Sequence, residues 1–182
     1  AQDNGFSDTD DLNPNNPLAI ENYNKGTDNF FNAGSWYPGG TFPNLPAVTY
    51  FQASTWLGDT LYVHTPTATG TGSTTFIKYT MNGTWISGTP LPVALTGGSL
   101  TACNGKLYYI GGSAAVTTGG TGVYEYDPST GVWTTKAPLP IALSGHGSVA
   151  WGDSVIFVVG GPYTGSGTNL NIQFFRATAN IW

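Results

Sequence analysis

Charged residues are scarce in this chain. Lys, Arg, Asp and Glu make up 8% of its 182 residues, against about 25% in an ordinary soluble domain. Solubility must therefore come from Ser, Thr, Asn and Gly. The chain holds one Cys, Cys103, and one Met, so no internal disulfide can form, and we expect Cys103 to be a small buried hydrophobe. Together these features predict an extracellular protein, secreted or at a cell surface, and the opening Ala-Gln-Asp is typical of a chain after signal-peptide removal.

Long apolar runs and basic clusters are also missing. The longest apolar segments have the length of strands, so we expect no membrane-spanning helix. The first 30 residues hold six acidic side chains and one basic one, Lys25, and so account for the whole net charge of −5. Without a basic stripe, nucleic acid is not expected as a partner.

Groups for catalysis are few. The two histidines, His64 and His146, have no second His or Cys at the spacing of metal ligands. No Gly-x-Ser-x-Gly motif occurs, and the glycine-rich stretches lack the Lys of a phosphate loop. Four acidic residues outside the N-terminal segment fall in turns or, for Glu125, mid-strand at the expected solvent edge: Asp59, Glu125, Asp127 and Asp153. The sequence therefore predicts no enzyme activity and no cofactor.

Regularly spaced tryptophans dominate what is present. Trp36, Trp85, Trp133 and Trp182 are separated by 49, 48 and 49 residues. A fixed period of this length indicates an array of similar supersecondary units, most often propeller blades. With 26 Gly and 12 Pro, long helices are not expected, and the strands are rich in the β-branched and aromatic residues that suit a sheet.

Each unit repeats the same order of features. An apolar strand precedes the glycine pairs Gly111-Gly112 and Gly160-Gly161, whereas His64-Thr65 stands at that place in the first unit. A second strand follows and carries an aromatic residue six or seven positions before the Trp, namely Tyr79, Tyr126 and Phe175. Asn104-Gly105 and Gly152-Asp153 are predicted two-residue hairpin turns.

This order resembles the Kelch repeat: a strand ending in Gly-Gly, then a Tyr, then a Trp. The resemblance implies an all-β fold of four-stranded antiparallel blades that pack radially about a central channel. It predicts the end of a preceding blade at 29–46, blades at 47–88 and 98–136, and a third blade at 145–182 whose last strand is truncated. Residues 1–28 are predicted to form an extended acidic arm.

About three blades are too few to close a propeller, which typically has four to eight. An open arc leaves an apolar face bare at each end and a strand edge unpaired in the third blade. We therefore expect partners: either other copies of the chain in a homo-oligomer, which head-to-tail contacts would extend into a filament, or the remainder of a larger surface protein. The leading hypothesis is a non-catalytic extracellular module with a structural, self-assembling or adhesive role.

Two alternatives stay open. One is a glycan- or protein-binding domain that uses the face formed by the long loops, with these candidate residues: Thr67, Thr69, Ser113, Thr117, Tyr163 and Thr164. The other is a fragment of a Kelch-type carbohydrate-active enzyme. Asn82-Gly83-Thr84 is a candidate glycosylation pattern. Alternating oxygen ligands give a weak calcium candidate, which lacks the Gly and Glu of a complete loop: Asp8, Asp10, Asp11, Asn13 and Asn15.

Overall fold

A computed structural model gives the structure of the chain and describes residues 45–47, 49–80, 84–115, 119–163, 167–168 and 172–182. Within these ranges the chain forms antiparallel sheets and no helix, which confirms the all-β prediction. The arm predicted over 1–28 lies outside the described residues, and so do Trp36 and nearly all of the predicted preceding blade.

Sheet 1 has four strands in sequence order: β1 (Ala53–Leu57), β2 (Thr60–His64), β3 (Phe76–Thr80) and β4 (Trp85–Ser87). All neighbours pair antiparallel. Because neighbouring strands in such a meander are antiparallel, turns or loops can join them and no crossover helix is needed.

Sheet 2 repeats this plan with β5 (Ser99–Cys103), β6 (Lys106–Ile110), β7 (Val123–Asp127) and β8 (Val132–Thr135). Cys103 pairs with Lys106, so Asn104-Gly105 is a two-residue turn, as predicted. Both turn residues have positive φ, 51° and 67°, which is the geometry that favours Asn-Gly in type I′ hairpins.

Sheet 3 has three strands in the order β13-β10-β9, with β9 at Gly147–Trp151, β10 at Val155–Val159 and β13 at Ile172–Arg176. A short hairpin of β11 (Pro162–Tyr163) and β12 (Gly167–Thr168) lies in the connection between β10 and β13. Trp151 pairs with Val155, so the turn at 152–154 has three residues, and the prediction of a two-residue turn there is wrong.

The sheets pack face to face, and each contact is an apolar layer. Between sheets 1 and 2 the layer contains Tyr62, Phe76, Leu107, Tyr109 and Tyr126, together with Leu91 and Leu95 from the connection. Between sheets 2 and 3 it contains Tyr108, Ile110, Val123, Ile156, Val158 and Phe175, together with Leu139 and Leu143. A middle sheet therefore needs apolar residues on both faces, which explains why its strands read as continuous apolar runs.

The tryptophans occupy one repeated position. In each sheet the Trp ring packs against the aromatic residue of the third strand, with ring centroids 5.2 Å apart for Tyr79–Trp85, 4.9 Å for Tyr126–Trp133 and 5.0 Å for Phe175–Trp182. The indole N–H of Trp133 donates to the Thr89 carbonyl at 2.9 Å, and that of Trp182 donates to the Ala137 carbonyl at 2.8 Å. Each accepting carbonyl directly precedes the Pro of a connection between sheets, so one Trp per unit fixes the sheet to its connection. That is the physical origin of the period.

The second glycine of each pair sits where no side chain fits. Gly112 and Gly161 have φ of 72° and 81°, a region that non-glycine residues rarely adopt. A Cβ on Gly112 would lie 2.6 Å from the Thr96 carbonyl oxygen, and one on Gly161 would lie 2.6 Å from the Ser144 carbonyl oxygen. In both sheets the backbone of the preceding connection passes directly over the glycine.

Candidate functional site

One sheet face is exposed although it is apolar. On sheet 3 the residues that alternate away from sheet 2 are bare: Trp151 is 69% exposed, Ile172 62% and Val149 60%. The intervening residues Ile156, Val158 and Phe175 are fully buried. Because successive side chains of a strand point to opposite faces, sheet 3 has one buried and one exposed apolar face. We call this side of sheet 3 the open face; Phe157 at its centre is half-buried and the other five residues are exposed: Val149, Trp151, Phe157, Val159, Ile172 and Phe174.

Equivalent faces in the other two sheets are covered. Pairing registers place Phe157 of sheet 3 at the position of Tyr108 in sheet 2 and Tyr62 in sheet 1. Tyr62 lies under sheet 2 and Tyr108 lies under sheet 3, and both are buried. The open face is therefore the face on which the next blade of the array would pack.

The open face is more apolar than its covered counterpart on sheet 2. Val149 corresponds to Thr101, and Phe174 corresponds to Glu125. Thr101 is hydrogen-bonded to Ser148 across the contact between sheets 2 and 3, so the covered face uses polar pairs that the open face lacks. Contiguous exposed apolar surface is typical of interaction surfaces and of aggregation-prone faces.

The outer side of sheet 1, which points away from sheet 2, differs from the open face in the exposure of its apolar residues. Val63, Ile77 and Tyr79 point away from sheet 2 and are all buried, with at most 7% exposed. Trp56, which pairs with Leu61 on this same side, is 49% exposed. The predicted first end of the array, at 29–46, lies almost wholly outside the described residues, so the expectation of a bare apolar face there stays a prediction.

The outer edge of β13 meets the segment that ends at Trp182. Arg176 forms an isolated antiparallel bridge with Ile181, at the place where Asp127 pairs with Val132 to start the fourth strand of sheet 2. Among the described residues no strand pairs with this edge beyond the bridge. This edge adjoins the open face.

A polar cluster lies between sheets 2 and 3. The Tyr108 hydroxyl donates to Glu125 Oε2 at 2.6 Å, and Lys136 Nζ lies 3.1 Å from the same oxygen. Burial, followed by the hydrogen bond to Glu125, raises the pKa of Tyr108 well above its usual range. Glu125 is only 18% exposed at its side chain, so the expectation that it faces the solvent edge is wrong. Its role is to pair with Tyr108 and Lys136 inside the contact.

Both histidines are buried. His64 Nε2 donates to the Ser73 carbonyl at 2.8 Å, and its ring centroid lies 4.8 Å from that of Tyr109. His146 Nε2 lies 3.0 Å from the Ser99 hydroxyl oxygen in the neighbouring sheet. Burial lowers the pKa of His64, and burial also lowers the pKa of His146 to about 4. Both imidazoles are therefore neutral at pH 7.

Strand register corrects the assignment of His64 to a glycine position. His64 pairs with Ala53, just as Ile110 pairs with Ser99, so His64 corresponds to Ile110. Thr65 and Pro66 follow it where Gly111 and Gly112 stand in sheet 2. The histidine is thus a core residue of sheet 1.

Asp127, one of the acidic turn residues, has an ion-pair partner and hydrogen-bond partners. Asp127 pairs with Lys106 and accepts hydrogen bonds from the backbone N–H and hydroxyl of Ser129. These contacts, Lys106 first, hold the pKa of Asp127 below its usual range. Asp59 and Asp153 lie in the hairpin turns of sheets 1 and 3. Cys103 is a buried free thiol whose pKa is raised by burial.

The long loops are partly ordered by hydrogen bonds. Thr67 and Thr69 are exposed, and their hydroxyl oxygens lie 3.0 Å apart, while those of Thr69 and Thr71 lie 3.1 Å apart. Ser113 pairs with Thr96 through both backbone groups. Tyr163 belongs to β11. Thr117 and Thr164 lie outside the described residues, as do Asn82 and the calcium candidates.

The part of the chain that the structure describes holds neither a metal-ligand cluster nor a membrane-spanning helix. There, no three or more His, Cys, Asp or Glu side chains come together so as to hold a metal ion. In the same part of the chain, no helix has the length and apolar character needed to cross a bilayer.

Comparison with known proteins agrees with this geometry. Residues 94–140 match the Kelch motif, which confirms the resemblance. The fold is similar to that of a solved protein described as "Structure of YjhT", with a TM-score of 0.66 and 17% identity over 76% of this chain and 52% of that one. The chain thus spans about half the length of that structure. No curated protein matches the sequence.

Proposed function

We propose that this chain, which carries a Kelch motif and folds into Kelch-type propeller blades, is a non-catalytic extracellular protein-interaction module. The open face of sheet 3 is the observation that carries the proposal, since the equivalent faces of sheets 1 and 2 are both covered by a neighbouring sheet. The extracellular setting rests on composition: 8% charged residues, one Cys and one Met.

The size of the open face supports a binding role. Its six apolar side chains expose on the order of 500 Å², near the largest patch found on ordinary monomers. At about 25 cal/mol per Å², covering one such face is worth on the order of 10 kcal/mol before the entropy of association is subtracted. If a few kcal/mol of this free energy remain after the entropy of association is subtracted, they are enough for specific binding.

The partner in this proposal is further propeller sheet. Sheets 2 and 3 show what fits such a face: an apolar face of the kind formed by Ile156, Val158 and Phe175. Such a sheet comes either from the remainder of a larger surface protein or from other copies of this chain, as a closed oligomer or a filament. In each case the role is structural or adhesive.

Dye binding tests whether the face is open. We expect wild-type protein at low concentration to enhance the fluorescence of an apolar dye such as ANS, and the Phe174→Lys variant to reduce that enhancement at least twofold. Phe174 is 46% exposed and packs against Phe157, so some packing is lost, and the midpoint of thermal unfolding should fall by several degrees while the protein stays folded.

Val132→Lys is the matched control, because Val132 is also a largely exposed strand residue but belongs to β8 of sheet 2. It should leave dye binding unchanged. Equal loss of fluorescence in both variants, or no binding to wild-type protein at a concentration where it has the mass of one chain, contradicts the proposal.

A second candidate function is binding of a glycan or protein at the long-loop face. The exposed hydroxyl groups of Thr67, Thr69 and Thr71, held in a mutual hydrogen-bonded row, favour it, because neutral hydroxyls on a fixed scaffold can exchange hydrogen bonds with a sugar. A glycan array probed with wild-type protein and with the Thr69→Val variant distinguishes the two. Hits that disappear in the variant support this function, and an empty array contradicts glycan binding.

A further inference from the structure

We infer that the open face is covered by the same face of a second copy of this chain, which makes the protein a twofold-symmetric dimer. This inference rests on the proposed function and specifies its partner. In such an isologous contact each patch meets its own copy, and the assembly closes at two chains.

The area is sufficient for a dimer. Two open faces of on the order of 500 Å² each would bury on the order of 1,000 Å² together, which is the lower bound for a specific interface. The face consists of alternating residues on neighbouring strands and is part of a regular sheet. Two such faces can pack at the usual separation of stacked sheets, about 10 Å.

The charge pattern also suits self-pairing. Among the described strand residues that point to this side of sheet 3, only Arg176 is charged, and it stands at the corner where β13 ends. Phe157 occupies the centre of the face, paired with both Val149 and Phe174. A twofold axis near Phe157 brings apolar rows together and keeps the two arginines at opposite ends.

A head-to-tail contact fits the structure less well. It would require the opposite side of sheet 1 to receive the open face of the next copy. That side presents Val63, Ile77 and Tyr79, which are already buried in a single chain. On the same side Trp56 is the large apolar residue that stays exposed, at 49%. Among the described residues, the open face therefore finds an exposed apolar counterpart of similar size in the open face of another copy.

Light scattering with size separation tests the inference on the full chain. We expect wild-type protein to reach twice the chain mass of 19.1 kDa at micromolar concentrations and to stop there. Because the contact is apolar, added salt should strengthen the dimer rather than dissociate it. The Phe174→Glu variant should remain at the mass of one chain, whereas Val132→Glu should dimerise like the wild type.

A cross-linking trap locates the axis. In a Cys103→Ala background, a bismaleimide whose span matches the separation of stacked sheets, about 10 Å, should join two copies of Phe157→Cys and should not join two copies of Val132→Cys. Retention of the native circular dichroism spectrum shows that each variant is folded. Masses that rise beyond two chains overturn the inference and leave the proposed function standing. A folded protein that remains one chain and still binds dye also overturns it, and then a sheet of another protein is the partner.

Discussion

Replacing Gly112 by alanine is expected to lower the free energy of unfolding by more than about 3 kcal/mol, because two costs add. Gly112 has a φ of 72°, where an L side chain costs about 1–2 kcal/mol. The new Cβ would also lie 2.6 Å from the Thr96 carbonyl oxygen and 2.7 Å from the Gly98 nitrogen. Relief requires movement of backbone that Thr96 and Ser113 hold through two hydrogen bonds of 2.8 and 3.0 Å. Urea unfolding followed by tryptophan fluorescence measures the change.

Gly160→Ala is the matched control for this prediction. Gly160 has a similar φ of 76°, but nothing lies within 4 Å of the Cβ that it would gain. It should therefore show the conformational cost alone, about 1–2 kcal/mol. Equal losses at Gly112 and Gly160 would show that close backbone approach is not the reason for the glycine pair.

Acidification is expected to destabilise the protein through its buried histidines. Burial lowers the pKa of His146 to about 4, whereas an unfolded histidine has a pKa of about 6.5. The unfolded state therefore binds a proton first as the pH falls, and stability is lost between pH 6.5 and 4. This interval corresponds to a loss of about 3 kcal/mol, to which His64 adds in the same direction.

The His146→Gln variant tests the origin of this pH dependence. Between pH 6.5 and 4, the slope of the unfolding free energy against pH should decrease by the amount that corresponds to the uptake of about one proton on unfolding. Asp127 does not contribute in this interval, since its lowered pKa makes its stabilisation disappear only at more acidic pH. A variant whose slope equals that of the wild type would contradict the assignment.

Sequence was sufficient to predict the sheets because each of them is fixed by a local signal. The Trp and the aromatic residue on which it packs lie within seven residues of each other, and the Asn-Gly turn joins consecutive strands. Such features depend on the residue type and its spacing alone, so a repeat in sequence becomes a repeat in structure.

Contacts across the sheets could not be predicted in the same way. Tyr108 and Glu125 meet because β6 and β7 pair in one register after a long loop, and the sequence does not give that register. His146 and Ser99 are 47 residues apart and belong to different sheets. The burial of Val63 and Ile77 on the outer side of sheet 1 likewise does not follow from the strand pattern.

Hydroxyl-radical footprinting at low protein concentration, with residue-level mass spectrometry, tests the open face most directly. The account predicts a period of two along β9, β10 and β13: strong labelling of Trp151, Ile172 and Phe174, and protection of Ile156, Val158 and Phe175. Uniform labelling of both sets would show that sheet 3 does not pack on sheet 2. Uniform protection, at a concentration where the protein has the mass of one chain, would show that the outer face of sheet 3 is already covered within the chain. Either result would contradict the account.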